Sequence, residues 1–306
     1  VKILVADKVN QAGIDYLADA GYEVEVKVGL SPEQLAAEIP GYDALAVRSA
    51  VQVTREIIEA GTSLKVIGRA GVGTDNIDKE AAAEQGIAVV NTPAANVVSA
   101  AEQTFALMLA CARNTAQANA SMHAGRWDRS EFTGLELCGR TLGIIGFGKI
   151  GALLAQRAKA FGMTIHAYDP YADSDFVTQH DAILLPTLDE LICTSDVISV
   201  HLPKTPETTG MICADQIDKM KDDVIILNVA RGGICNETAL LAGLESGKIW
   251  AVGIDVFDPE PPVDCPLAGC DRAVLTPHLG ASTKEAQVRA GVQVAEAIVD
   301  ELKKFS

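Results

Sequence analysis

The chain has 306 residues, 48% hydrophobic and 22% charged, with 25 Lys and Arg against 41 Asp and Glu. At roughly 150 residues per domain this allows two domains, each with its own core, and no apolar run approaches the roughly 18 residues that span a bilayer. A formal charge of −16 argues against nucleic acid, whose phosphates demand a concentrated basic face, but leaves small anionic substrates open.

Short β-branched runs alternate with helical stretches along the whole chain, the pattern of parallel α/β sheets. The first set is KILVAD from Lys2, YEVEVKV from Tyr22, DALAVR from Asp43, LKVIGRAG from Leu64 and GIAVVN from Gly86. Pro32 opens a helix behind Ser31, a good N-cap. One long helix is expected from about Val97 to Ala124, with Phe105, Leu109, Ala112 and Ala116 at helical spacing. The polar segment GRWDRSEFTG leads into a second series of strands, beginning at Thr141, Thr164, Ala182, Asp196, Asp223, Ile249 and Ala273. A final amphipathic helix carries Val288, Val292, Ala295, Val299 and Leu302 on one face. The boundary between the two sets falls near residue 96, and the last helix could pack on either.

The seven cysteines, at 111, 138, 193, 213, 235, 265 and 270, show neither CxxC nor zinc spacing. Most are expected to be small buried hydrophobes in a reducing compartment. The chain opens directly on a strand-like run with no signal-like segment, and its first residue is Val, as in a processed or truncated product. A cytoplasmic protein is expected.

Gly146-Phe147-Gly148-Lys149-Ile150-Gly151 matches GxGxxG, follows the apolar strand LGII and opens the helix GALLAQRAKAFG. The acid Asp169 ends the next strand. That full context is the dinucleotide fingerprint: glycines let backbone N–H groups approach a pyrophosphate at a helix N-terminus. Asp169 can accept hydrogen bonds from ribose hydroxyls and would repel a 2′-phosphate. The following Pro170-Tyr171-Ala172-Asp173 supplies no Arg to rescue it. NAD is the expected cofactor.

Oxidising a secondary alcohol with NAD needs a base of near-neutral pKa and a cation for the substrate carboxylate. Of His123, His166, His180, His201 and His278, His166 sits within a strand, whereas His278 follows a strand and Pro277 at the C-terminal end, where open α/β sheets bind ligands. Glu260, in DPEPP after the preceding strand, could meet it and orient the imidazole. Arg231 follows IILNVA, is expected to start a helix, and has the planar fork that suits an α-hydroxy carboxylate. Arg48 and Arg69 sit directly after strands of the first set and suit phosphate oxygens.

The segments NVARGG, GIDVFDPEPP and PHLGASTKEAQ, with GRAGVGTDNID and NTPAANVVSAAE upstream, resemble the D-isomer-specific 2-hydroxyacid dehydrogenases over nearly the whole chain. The resemblance implies two Rossmann-like or flavodoxin-like parallel-sheet domains with a cleft between them. Residues 1–95 plus 283–306 would form the substrate domain and residues 96–282 the NAD-binding domain. It implies that Arg231, Glu260 and His278 are catalytic. Asp255 would bind the nicotinamide amide, and Val229, Ala230, Arg231, His278, Gly280 and Ala281 would line the cofactor beside the glycine loop. Arg48, Arg69 and Asn96 would hold a phosphorylated substrate, with Arg129 reaching across from the second subunit of a homodimer or tetramer. No metal is implied. The same residues leave open an enzyme for glyoxylate, hydroxypyruvate or lactate, and an NAD-sensing corepressor-like protein. They also leave open a regulatory domain beyond Ser306.

Overall fold

Five short strands build the first sheet: β1 Lys2–Val5, β2 Glu23–Val26, β3 Ala44–Val47, β4 Val66–Arg69 and β5 Ala88–Asn91. They pair in parallel in the order β2-β1-β3-β4-β5. The computed structural model describes residues 1–305. The central strands are apolar except for Lys2 at the start of β1 and Arg69 at the end of β4, because helices cover both faces. Leu4, Leu45 and Ile67 point to one side, among Leu35, Ile57 and Ala81 of three short helices. Ile3, Val5, Ala44 and Val66 point to the other, among Leu17, Val294, Ile298 and Leu302. Ser31 caps the helix Pro32–Glu38 in a complete capping box with Gln34.

The chain divides into two compact units, Val1–Asn96 with the segment from Ala281 onward, and Val97–Gly280. The final helix, Lys284–Leu302, therefore belongs to the first unit, where it lies against the helix Gln11–Asp19. The contact requires glycine at position 13, where a Cβ would fall 2.2 Å from the Gly291 carbonyl oxygen, and it is tight at Gly291, where a Cβ would sit 3.0 Å from the Cβ of Asn10. This close approach selects the buried face. It consists of Ala286, Gly291, Val294, Ala295, Ile298, Val299 and Leu302, whereas Val288, expected on that face, is 43% exposed.

The second unit holds β6 Thr141–Ile145, β7 Thr164–Tyr168, β8 Ile183–Leu184, β9 Val197–Val200, β10 Val224–Asn228, β11 Ile249–Ile254 and β12 Ala273–Leu275. These seven strands are parallel, in the order β12-β11-β10-β9-β6-β7-β8. Strand order reverses between β9 and β6, which opens a ligand crevice at their C-terminal ends. The long helix expected from Val97 is two helices, Val97–Arg113 and Thr115–His123. Asn114 breaks it in the left-handed region at φ 52°, a conformation Asn tolerates, and its side-chain amide donates to the Thr133 carbonyl. Leu107, Met108, Cys111 and Ala112 of the first helix join the core of this unit.

Burial of the cysteines differs from expectation. Only Cys111 and Cys235 are buried, Cys138 and Cys193 are exposed, the other three are partly exposed, and all seven are free. The exposed pair lies in a turn and a helix on the outside of the sheet, where a thiol has no core to enter. Among the described residues, no helix is long and apolar enough to cross a membrane.

Candidate active site

The glycine loop turns from β6 into the helix Lys149–Ala160. Gly146 has φ +90°, and a Cβ there would sit 2.7 Å from the His201 carbonyl oxygen. Around Gly148 the space is open to 4 Å, while a Cβ on Gly151 would press on the Gly146 carbonyl at 2.9 Å. The first and third glycines thus serve close packing, and the second leaves the helix N-terminus bare for an anion. Lys149 and Ile150 begin that helix, Lys149 exposed and Ile150 partly so.

Asp169 closes β7, and its carboxylate has two partners. Oδ2 accepts the Phe147 N–H of the glycine loop at 2.9 Å, and Oδ1 accepts the Tyr171 N–H at 2.9 Å. Each oxygen keeps a second lone pair for a hydroxyl donor. Beside it lies a hollow of about 350 Å³ walled by Tyr168, Pro170, Leu184, Leu185 and Pro186, apolar enough for a flat base. The bare Gly148, the partly exposed carboxylate and this hollow fit a dinucleotide.

Arg231 follows β10 on a loop. It does not start a helix: the next one begins at Glu237, because Gly232-Gly233 intervene. The loop is clamped by Asn228, only 2% exposed. Its side-chain oxygen accepts the Ala230 N–H at 3.1 Å, and its amide donates to the Arg231 carbonyl at 2.9 Å. A guanidinium N–H of Arg231 donates to the Ala230 carbonyl at 2.7 Å. A Cβ on Gly232 would overlap the Phe257 carbonyl carbon at 2.0 Å. Only glycine brings the Arg231 loop so close to the loop that carries Glu260. Val229 and Ala230 are partly exposed on the same loop.

His278 and Glu260 come together as expected. Nδ1 of His278 lies 2.7 Å from Oε2 of Glu260, and the other carboxylate oxygen accepts the Phe257 N–H at 2.9 Å. With the carboxylate as acceptor, Nδ1 carries the hydrogen and Nε2 is left with its lone pair outward. His278 holds φ 55°, left-handed for a non-glycine residue, a strain that surrounding contacts must maintain.

Asp255 supplies those contacts. The residue is 0% exposed. Oδ1 accepts the Thr276 hydroxyl at 2.5 Å and the Leu279 N–H at 2.8 Å, and Oδ2 accepts the Gly280 N–H at 2.8 Å. Enclosed in this way, the carboxylate grips the His278 loop. Gly280 is buried with it, while Ala281 begins the returning segment of the first unit.

Arg48, Arg69 and Asn96 lie in the first unit. Arg48 follows β3 and Arg69 is the last residue of β4. The Asn96 side-chain oxygen is buried without a hydrogen-bond partner. Arg129 opens a short 3₁₀ turn, Arg129–Phe132, and is exposed. Of the remaining histidines, His166 bonds Thr194 and His201 bonds Ser199. Asn228 was not among the residues singled out from sequence. Its one signal is a polar residue closing the otherwise apolar strand VIILN.

A family model for the NAD-binding domain of D-isomer specific 2-hydroxyacid dehydrogenases matches residues 105–280. A D-3-phosphoglycerate dehydrogenase of Methanocaldococcus jannaschii is 51% identical over 97% of this chain, and one of Archaeoglobus fulgidus is 48% identical over 99%. The chain spans only 57% and 58% of the lengths of these two relatives. Among solved structures, a glyoxylate reductase of Paecilomyes thermophila superposes with a TM-score of 0.88 at 31% identity, covering 100% of this chain and 96% of that one.

Proposed function

Because the chain belongs to the D-isomer specific 2-hydroxyacid dehydrogenases and carries their NAD-binding domain, we propose that it oxidises the 2-hydroxyl of D-3-phosphoglycerate to give 3-phosphohydroxypyruvate. Bound NAD supplies the two-electron acceptor. The glycine loop and Asp169 hold it, and the loops at Val229–Arg231 and His278–Gly280, with Ala281, border it. The observation that carries the reading is the 2.7 Å pair of His278 and Glu260, on a loop that Gly232 lets approach Arg231.

In this reading Nε2 of His278 takes the hydroxyl proton as the alcohol becomes a ketone. Glu260 keeps Nδ1 protonated and balances the imidazolium that results. Arg231 receives the substrate carboxylate through its planar fork. Arg48, Arg69 and Asn96 take the phosphate, the local cations compensating for a protein whose bulk charge is negative. The product would be the 2-oxo acid from which serine is made, and the protein would work in the cytoplasm.

The reading includes a homodimer. Trp127 is 77% exposed and Met122 55% exposed, in the segment after the helix Thr115–His123 and in that helix, and aromatic residues left bare in this way are enriched in interface cores. Arg129 of the partner subunit would then complete the phosphate site. Sedimentation at micromolar concentration tests this, and a monomer would overturn it.

The decisive experiment compares reduction of 3-phosphohydroxypyruvate and of glyoxylate with NADH. Efficiency at least about tenfold higher for the phosphorylated acid is expected, the equivalent of one charged hydrogen bond. Equal efficiency would overturn the substrate assignment.

A further inference from the structure

Asp7 lies two residues beyond β1 and is only 5% exposed. Its carboxylate is given over to main-chain donors. Oδ1 accepts the Lys8 N–H at 2.7 Å, and Oδ2 accepts the N–H groups of Arg48 at 3.0 Å and Ala50 at 3.1 Å. From the other side, the Asn76 amide donates to the carbonyls of Arg48 at 2.8 Å and Val51 at 2.7 Å. Arg48 is thus held at both its N–H and its C=O by side chains distant in sequence. Its guanidinium also reaches the Lys8 carbonyl at 3.2 Å.

The location has a meaning of its own. In the order β2-β1-β3-β4-β5, the order of the parallel strands reverses between β1 and β3, and the crevice outside their C-terminal ends is the ligand-binding place of such a sheet. The two loops tied together by Asp7 are the ones that flank this crevice, and each carries a cation, Lys8 or Arg48. An Asn there would offer one acceptor oxygen, not the two that hold Lys8 on one side and Arg48 and Ala50 on the other. The Asp7 carboxylate accepts all three N–H groups, at 2.7, 3.0 and 3.1 Å, and so fixes both loops at once.

We propose that Asp7 and Asn76 are positioning residues: they lock the backbone from which Arg48 projects, so that its guanidinium meets the phosphate of the substrate in one geometry. This rests on the reading that Arg48 contacts that phosphate. An unlocked loop would still carry the charge, but the substrate would have to order it on binding, and affinity for the phosphorylated acid would fall while the proton-transfer step is spared.

The test is steady-state kinetics with 3-phosphohydroxypyruvate and NADH on Asp7→Asn, Asn76→Ala, Arg48→Ala and the Asp7→Asn/Arg48→Ala double variant. Each positioning variant is expected to raise KM for the phosphorylated acid about three- to tenfold, and Arg48→Ala more. kcat at saturation should stay within about twofold and KM for NADH should not move. In the Arg48→Ala background, Asp7→Asn should add nothing. The same KM increase with and without Arg48, or losses in kcat and in NADH binding together, would make Asp7 a general structural residue and overturn the proposal. Unchanged KM in both positioning variants with a raised KM in Arg48→Ala overturns the positioning role and leaves the functional reading standing. Unchanged KM in Arg48→Ala overturns the assignment of Arg48 and the proposal with it. Should Asp7→Asn fail to fold, Asn76→Ala alone decides, since it frees the same loop without disturbing a buried charge.

Discussion

Oδ2 of Asp255 accepts the Gly280 N–H at 2.8 Å at a position without solvent exposure. Gly280 lies two residues beyond His278, and the same carboxylate also holds Leu279 and Thr276. The left-handed His278 is therefore anchored from behind by one enclosed charge. Asp255→Ala would strand the buried Gly280 N–H, worth about 1–3 kcal/mol when unsatisfied, and would leave the half-buried Leu279 N–H and Thr276 hydroxyl without their acceptor. A loss of about 1–3 kcal/mol in unfolding free energy is expected, together with lost turnover. Denaturant melts check it, and a wild-type midpoint would show that the loop keeps its shape without the carboxylate.

Proton transfer predicts a split between chemistry and binding. His278→Asn should lower kcat by about 10²–10⁴-fold with NADH affinity retained. Glu260→Gln should cost about tenfold or more, because the acceptor that keeps the hydrogen on Nδ1 becomes neutral. Stopped-flow turnover and NADH fluorescence titration measure the two sides. Near-native kcat in His278→Asn would remove it from the reaction.

Cofactor choice rests on Asp169. The wild-type protein should use NADH far better than NADPH, and Asp169→Ala should narrow the ratio by removing the charge that repels a 2′-phosphate. It also removes the acceptor of the Phe147 N–H, so NADH affinity should fall as well. Comparable kcat/KM for the two cofactors in the wild type would exclude this role.

Acid should weaken the fold through His201. This ring bonds Ser199 at 2.8 Å, and burial pushes its pKa down to about 4 from an ordinary 6.5. The unfolded chain therefore takes up the proton first as pH falls below 6.5, and folded stability declines until about pH 4. The 2.5-unit difference sets a ceiling of about 3 kcal/mol. Burial also lowers the pKa of His166, which acts in the same direction. Urea midpoints between pH 7 and 4.5 should fall less in His201→Gln than in the wild type, and parallel curves would refute the assignment.

Thiol chemistry should sort by burial. Cys138 and Cys193 are exposed, whereas burial raises Cys111 and Cys235 to a pKa of about 12. A thiolate reagent at neutral pH should label the exposed pair in the native protein and reach the buried pair only after unfolding. Mass-spectrometric mapping of rapid labelling at Cys235 would contradict this.

What the sequence by itself determined was local. Twelve strands were legible because each is a short apolar run bounded by polar or glycine breaks, and parallel strands covered on both faces have no alternation to conceal them. The glycine loop and Asp169 were legible because a strand, a turn and a helix N-terminus follow one another within a few residues. Tertiary structure decided what those signals could not reach. Asn114 divides the helix through its own backbone and a bond to Thr133. Gly13 against Gly291 sets which face of the last helix is buried. Asn228 reads as a strand end until its amide is seen clamping the Arg231 loop, and nothing in the sequence shows that the Asp255 carboxylate holds the Leu279 and Gly280 N–H groups. Asp7 shows no motif at all. Its carboxylate meets Arg48 and Ala50 only because β1 and β3 lie side by side in the sheet. Residue type sets which hydrogen bonds a side chain can make, but strand order and register choose its partner. That choice is made by burying the sheet as a whole, not by the few residues on either side.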